Sequence, residues 1–336
     1  MRTGVFETNK SIMYPDEVSF CFNPMLVRVQ TNNAVTCIIS NGGMSFTDRR
    51  TSYEGSVEID VSVYTQMFFS FGGMDLIYSK MVTVLVQTEK DSFSFTTEVI
   101  WGALNIGEVF NRSRNIMWFK NFPFTVSMYI ASGAIMRKRY DRNKYQSFNP
   151  GSGLVHLDPS ALFGNAVDFG VIRLDEMIPE STFDYTFDNT FRPVGDGVII
   201  NRLVVDDSEC GIYLRWIDRH GFYQYWLFSK GQDDMKSNQY GEQLYQDYEV
   251  GGRGYYGVSR MQGMEVANTM RICASLVDRD YYSMIRTIIG SPMVDMYQDG
   301  VWIPVRIDNS TVSDEGKSLQ DIEFSIVLPD IITQKL

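Results

Sequence analysis

The chain has 336 residues, enough to form two domains or one domain with a large insertion. Its net charge of −11 disfavours nucleic-acid binding, because an acidic surface repels phosphate, and it contains no apolar run of the length that would span a membrane. Aromatic residues make up 14% of the sequence, and these residues favour strands and subunit interfaces.

Residues 1–131 are predicted to form an N-terminal antiparallel β domain. Short alternating segments at 18–22, 26–30, 34–39 and 57–64 are separated by Asn, Pro and Gly turn residues. Apolar segments at 81–86, 93–96 and 99–101 follow, with another pair of strands around the turn at 121–123. A helix over residues 64–71 is the alternative for that one segment.

Residues 132–160 are predicted to be a basic loop or linker that contains Gly and Pro. Arg137, Lys138 and Arg139 are followed closely by Arg142 and Lys144, and then by a flexible segment at 149–153. A solvated loop is the simpler interpretation of this cluster. The alternative is a contact surface for an acidic partner or for nucleic acid.

Residues 161–336 are predicted to form a C-terminal β-rich domain. An aromatic hairpin at 211–228 leads into a polar, Gly- and Tyr-rich stretch at 231–257, which we interpret as a long loop that serves binding or assembly. The stretch 270–329 then combines a strand, a helix over 278–289 with Asp278 as its N-cap, a hairpin at Asp299-Gly300 and a last strand. The predicted fold is therefore mainly β, with antiparallel β-sandwich domains and one flanking α-helix near the C-terminus.

The sequence predicts no catalytic, cofactor or metal site. It contains two histidines, His156 and His220, at predicted turns and without neighbouring ligand-type residues. The acidic residues Asp206, Asp207 and Glu209 are interpreted as a solvated turn. A cation site, or the carboxylate pair of a glycoside hydrolase, is the alternative for them.

The cysteines and the aromatic hairpin have similarly plain interpretations. Four widely spaced cysteines are predicted to be free, buried thiols, namely Cys21, Cys37, Cys210 and Cys273. The side chains of Trp216, Tyr225 and Trp226 are expected in a sandwich core, and the alternative is a platform on which a sugar stacks.

Three blocks in the second half carry a resemblance to a known group of proteins. They read CGIYLRWIDRHGFYQYWLF at 210–228, SPMVDMY followed by VWIPV at 291–305, and QDIEFSIVLP at 320–329. These blocks resemble tail structural proteins of bacteriophages and prophages of gut Bacteroidales. The first half is similar to the same group only through WGAL at 101–104 and the aromatic strands after it.

The resemblance implies a non-enzymatic virion component of the tail tip, such as a distal tail or baseplate ring subunit, assembled in the host cytoplasm. Its partners would be copies of itself and other tail proteins. A carbohydrate- or receptor-binding module of the tail, which would contact a host-surface glycan, is the alternative. Tyr282 and Arg286, on the predicted helix, are the first candidates for a contact with a neighbouring subunit.

Overall fold

The computed structural model describes residues 1–8, 10–69, 79–139, 144–164, 171–177, 186–187, 193–194, 198–249, 255–308, 312–314 and 316–329. The chain divides into two compact units. Unit 1 comprises Met1–Asp206 with Ile217–Tyr223, and unit 2 comprises Asp207–Trp216 with Gln224–Leu336. This division differs from the predicted boundaries at 131 and 161.

The first part of unit 1 contains two sheets. Its elements are β1 (Arg2–Phe6), β2 (Lys10–Tyr14), β3 (Val18–Phe20), β4 (Leu26–Gln30), β5 (Val35–Ser40), β6 (Ser45–Arg50), β7 (Ser56–Asp60), helix α1 (Ser62–Gln66), β8 (Ser79–Gln87) and β9 (Ser92–Ile100). One sheet has the order β1-β2-β4-β7 and the other β3-β9-β8-β5-β6. Alternate side chains of these strands are buried, as expected when each sheet covers one face of the other.

Aromatic side chains join the two sheets. The ring of Tyr14 on β2 lies 5.1 Å from that of Phe93 and 4.9 Å from that of Phe95, both on β9. The strict alternation predicted over residues 57–64 ends at Asp60, and α1 follows. The Asp60 carboxylate accepts from the backbone N–H of Ser62 and of Met25, so it holds the start of the helix against the neighbouring loop.

The second part of unit 1 is organised around another five-stranded sheet. Its elements are β10 (Arg114–Phe119), β11 (Val126–Ile130), β12 (Ile135–Arg139), β13 (Tyr145–Phe148), β14 (Gly153–Leu157), helix α2 (Pro159–Phe163), β15 (Val171–Met177), β16 (Thr186–Phe187), β17 (Pro193–Val194) and β18 (Val198–Asp206). The sheet order is β10-β18-β15-β12-β13, and β11 pairs with β14. The pair β10 and β18 is parallel, whereas the remaining pairs of this sheet are antiparallel.

The prediction that residues 132–160 form a linker is wrong for the residues that the structure describes. Strands β12, β13 and β14 lie within this range, and β12 pairs with β15 over Ile135↔Met177 to Arg139↔Arg173. The consecutive cations of β12 are compatible with a strand because a carboxylate and a backbone carbonyl accept hydrogen bonds from Arg139 and Lys138. Arg142 lies outside the described residues.

Unit 2 is a closed six-stranded barrel in the order β19-β20-β21-β24-β23-β22. Its strands are β19 (Ile212–Ile217), β20 (Tyr223–Glu249), β21 (Tyr255–Asp278), β22 (Val294–Gln298), β23 (Val301–Ile307) and β24 (Leu319–Val327). Its buried residues include the large side chains of Tyr213, Trp216, Phe228 and Phe324. Strands predominate in both units, which confirms the predicted mainly β, antiparallel class with a helix near the C-terminus. Unit 2 differs from the predicted sandwich because its strands close into a barrel.

The predicted helix near the C-terminus is confirmed. Helix α3 (Arg279–Ile285) begins after Asp278, whose carboxylate accepts from the N–H groups of Asp280 and Tyr281, and a 3₁₀ turn (Arg286–Gly290) continues it. These two elements cover the barrel with Tyr282, Ile285 and Ile288. None of the helices within the described ranges has the length and apolar character needed to cross a bilayer.

The predicted hairpin at Asp299-Gly300 is also confirmed. The two residues have φ angles of +51° and +85°, which is the left-handed pair that a type I′ turn requires. The prediction of a long loop at 231–257 is wrong, because β20 and β21 continue through most of this range as paired strands. The tip, residues 250–254, lies outside the described residues.

Candidate functional site

The basic residues predicted to contact a partner are engaged within unit 1. Arg139 is buried, and its Nε lies 3.2 Å from Oδ2 of Asp175. Arg173 approaches the other carboxylate oxygen of Asp175 at 2.8 Å, so two guanidinium groups share one buried carboxylate. Lys138 donates to the carbonyl of Leu162, and the guanidinium of Arg137 lies 4.7 Å from the ring centre of Tyr145. This cluster holds the sheet together.

The predicted aromatic platform is not a surface. Trp216, Tyr225 and Trp226 are all buried in the barrel of unit 2. The indole N–H of Trp216 donates to Oγ1 of Thr287 at 2.9 Å, which fixes the 3₁₀ turn on the barrel. The simpler interpretation, that these side chains belong to the core, is therefore confirmed, and none of the three offers an exposed ring on which a glycan could stack.

The two helix residues proposed for a subunit contact have different positions. Tyr282 is buried, and its hydroxyl donates to the carbonyl of Ser313 at 2.7 Å, so its predicted outward orientation is wrong. Arg286 is exposed, as that prediction requires. The helical spacing correctly identified an amphipathic element, but it did not determine which residue of the first turns faces the barrel.

The histidines and the acidic cluster do not form a recognisable catalytic arrangement. His156 lies on β14, where Nδ1 is 2.8 Å from Oγ of Ser127, and burial lowers the pKa of this imidazole to about 4. His220 lies 2.9 Å from Glu108. Asp207 and Glu209 are exposed, as expected for a solvated turn. Among the residues that the structure describes, no group of three or more His, Cys, Asp or Glu side chains is placed to hold a metal ion.

The cysteines are free thiols, as predicted, but their burial differs. Cys21 and Cys37 are buried, and burial raises the pKa of Cys21 to about 11 and that of Cys37 to about 12. Cys273 is partly exposed and Cys210 is exposed, so the prediction of burial is wrong for Cys210. The exposed thiol lies just before β19, where the chain enters the barrel.

The most prominent surface feature of unit 2 is a two-stranded extension of β20 and β21, which we call the arm. It comprises residues 233–249 and 255–270, paired from Asp233↔Met270 to Glu249↔Tyr255. At about 3.3 Å per residue it is about 50 Å long. At its root, Thr269 and Met270 pair with β24, so the arm grows directly out of the barrel wall.

The arm exposes large side chains to solvent. Met235 is 70% exposed, Leu244 is 48% exposed and Tyr245 is 77% exposed. Its strands are linked by side chains as well as by the backbone: Gln243 donates to Oγ of Ser259, and the backbone N–H of Glu242 donates to the side chain of Gln262. A glycine at a positive φ, Gly241 at +75°, forms the bulge between the two halves of the arm.

Sequence reasoning missed the arm, although two signals for it exist. The Gly-rich segment 251–254 is a typical hairpin turn composition, and it separates two polar stretches of similar length. The strands themselves lack the apolar runs or strict alternation by which strands are recognised, because the side chains of residues 233–245 are exposed on both faces of the ribbon. An uncovered ribbon therefore has the composition of a loop.

Comparison with known proteins identifies no relative from which a role could be transferred. No protein-family model matches the chain. A search of curated proteins finds no match either.

Proposed function

We propose that this chain is a non-enzymatic structural subunit of a bacteriophage tail tip, a distal tail or baseplate component that assembles with copies of itself and docks other tail proteins. The resemblance of residues 210–228, 291–305 and 320–329 to tail structural proteins supports the tail assignment. The arm is the single observation that supports an assembly role.

A two-stranded ribbon without a covering layer is marginally stable in water, because it buries little apolar surface while ordering many residues. This arm also exposes the apolar side chains of Met235 and Leu244, and removing them from water would lower the free energy of the assembly. A partner that covers the arm would stabilise both its backbone and these side chains, which is the expected behaviour of an assembly element.

The proposal favours assembly over glycan binding. Trp216, Tyr225 and Trp226, the aromatic residues that the glycan alternative places in a stacking platform, are buried. An adhesive structural role needs only a surface that a protein neighbour can cover, and the arm is such a surface.

The test is made on particles. Mass spectrometry and immunoelectron microscopy of intact virions should find the chain at the tail tip, and its absence from virions would overturn the proposal. A second variant tests the arm itself. Replacing residues 236–267 by an Asn-Gly turn joins Met235 to Asn268, which are already paired, so the barrel should still fold.

In particles assembled with this shortened chain, we expect incorporation to be lost while the purified variant keeps its β-sheet circular dichroism. Incorporation at the wild-type level would show that the arm does not dock the subunit. The control variant is Glu323→Gln, which changes an exposed side chain of the barrel strand β24 and leaves the arm intact.

A further inference from the structure

The two faces of the arm differ in chemistry. Residues paired across the strands project to the same side, and successive pairs project to opposite sides. One side, which we call the aliphatic face, carries the pairs Asp233↔Met270, Met235↔Asn268, Ser237↔Val266, Gln239↔Met264 and Leu244↔Arg260. The other side, the polar face, carries the pairs Asp234↔Thr269, Lys236↔Ala267, Asn238↔Glu265, Tyr240↔Gly263, Gln243↔Met261 and Tyr245↔Ser259.

Two opposite charges flank the apolar part of the aliphatic face. Asp233 stands at the root and Arg260 about two thirds of the way along the arm, with methionine, valine, leucine and uncharged polar residues paired between them. Asp233 contacts Lys230 at 2.8 Å and is still 58% exposed. Glu242 lies in the bulge, outside the paired positions. The polar face instead carries Asp234, Lys236 and Glu265 along its first half.

We propose that the aliphatic face packs against the same face of a second copy of this chain, with the two arms antiparallel. This inference rests on the proposed assembly function and names the partner of the arm. A two-fold axis that crosses the face near the pair Asn238↔Glu265 brings Arg260 of each copy beside Asp233 of the other. It also stacks Val266 on the Met264 region of the other copy, with the two ribbons about 10 Å apart, as in a sandwich of two sheets.

Charge complementarity favours a second copy. Asp233 and Arg260 each lie beside an opposite charge only when the two arms run antiparallel, since a parallel arrangement would place Asp233 against Asp233. Charges on the polar face stay in solvent. In this register the two arms overlap from Asp233 to Arg260, over about 35 Å, so two ribbons about 10 Å wide bury about 700 Å² together, which is the size of a weak, reversible contact.

The first experiment cross-links neighbouring positions on opposite faces. In the full chain with Cys210→Ser and Cys273→Ser, the variants Val266→Cys and Glu265→Cys are treated with a short bismaleimide. The proposal expects a covalent dimer for Val266→Cys and none for Glu265→Cys, because residue 265 faces away from the partner. Equal cross-linking of the two variants, or none for Val266→Cys, overturns it.

The second experiment tests the register by charge reversal. Sedimentation velocity of the wild-type protein should show a dimer, and Arg260→Glu should raise the dimer dissociation constant about tenfold or more, since it places two negative charges together at each of the two contacts. Adding Asp233→Arg should restore the wild-type value. A monomeric wild-type protein, or no rescue by the second reversal, overturns the proposed pairing.

The outcomes separate this inference from the proposed function. A chain that is monomeric in solution but present at the tail tip of virions refutes self-pairing of the arm and leaves the tail assignment standing. A chain that dimerises through the arm but is absent from virions refutes the tail assignment and leaves self-pairing of the arm standing.

Discussion

Glu7, at the turn between β1 and β2, is expected to be a main electrostatic support of unit 1. Its side chain is 6% exposed, and its carboxylate accepts from four side chains. Thr31 and Lys10 donate to Oε2 at 2.9 and 3.0 Å, and Asn33 and Thr88 donate to Oε1 at 2.8 and 2.7 Å. Because Thr88 follows β8 and Thr31 follows β4, this one carboxylate ties both sheets of the sandwich together.

The contribution of Glu7 to the free energy of unfolding follows from its pKa. Burial raises the pKa of Glu7, but the four hydrogen bonds lower it by more, from 4.5 to about 2. The folded protein therefore binds the ionised form more tightly than the unfolded chain does. A difference of this size corresponds to about 3 kcal/mol of unfolding free energy, present above pH 4.5 and lost as the pH falls towards 2.

Replacing Glu7 by Gln should remove most of that free energy at pH 7. The amide nitrogen of Gln would face two donors, so at least two of the four hydrogen bonds are lost, and we expect a loss of about 2–3 kcal/mol. The difference between wild type and variant should shrink as the pH approaches 2, where Glu7 becomes protonated and resembles the amide.

Urea unfolding of both proteins at pH 7, 4.5 and 3, followed by circular dichroism, measures this difference. Glu89→Gln serves as the matched control, since Glu89 is exposed and should give no difference at any pH. If the difference between wild type and Glu7→Gln stays constant from pH 7 to 3, the carboxylate is not held in its ionised form and the reasoning is refuted.

Three further substitutions test other features. Asp175→Ala leaves Arg139 and Arg173 buried without their carboxylate and should cost about 3–5 kcal/mol in urea unfolding; an unchanged midpoint contradicts this. His156→Phe should reduce the loss of stability between pH 6.5 and 4, because the folded imidazole, with its pKa near 4, resists protonation; an identical pH profile contradicts this. Gly300→Ala, with open space around the new methyl, should lower stability by about 1 kcal/mol through φ strain alone, and a neutral result contradicts the type I′ turn.

Local chemistry was sufficient for the elements near the C-terminus. Asp278 before a helical pattern and Asp299-Gly300 between alternating strands each specify a backbone conformation within a few residues. The cap and the hairpin therefore form where the sequence places them. The class of the fold followed in the same way from short alternating segments and turn residues, since those patterns depend on neighbours along the chain.

Other features depend on partners that are distant in sequence. The cations at Arg137 to Arg139 are interpreted as a loop, because the neighbouring sequence does not show that Arg139 pairs with the distant Asp175 on β15. The sequence favours a core position for Trp216 and Tyr225 and leaves a platform as the alternative, and the tertiary structure shows that both side chains are buried. Tyr282 and Arg286 lie one helical turn apart, and only the position of the barrel decides that the first is buried and the second exposed.

The arm shows the division most clearly. Composition alone identifies residues 231–257 as a polar, Gly- and Tyr-rich stretch of the kind that serves binding or assembly. The pairing of β20 with β21 shows that this stretch is a ribbon with one aliphatic and one polar face. The physical reason is that the side a residue faces depends on the register between two strands, and the barrel at the root of the arm sets that register.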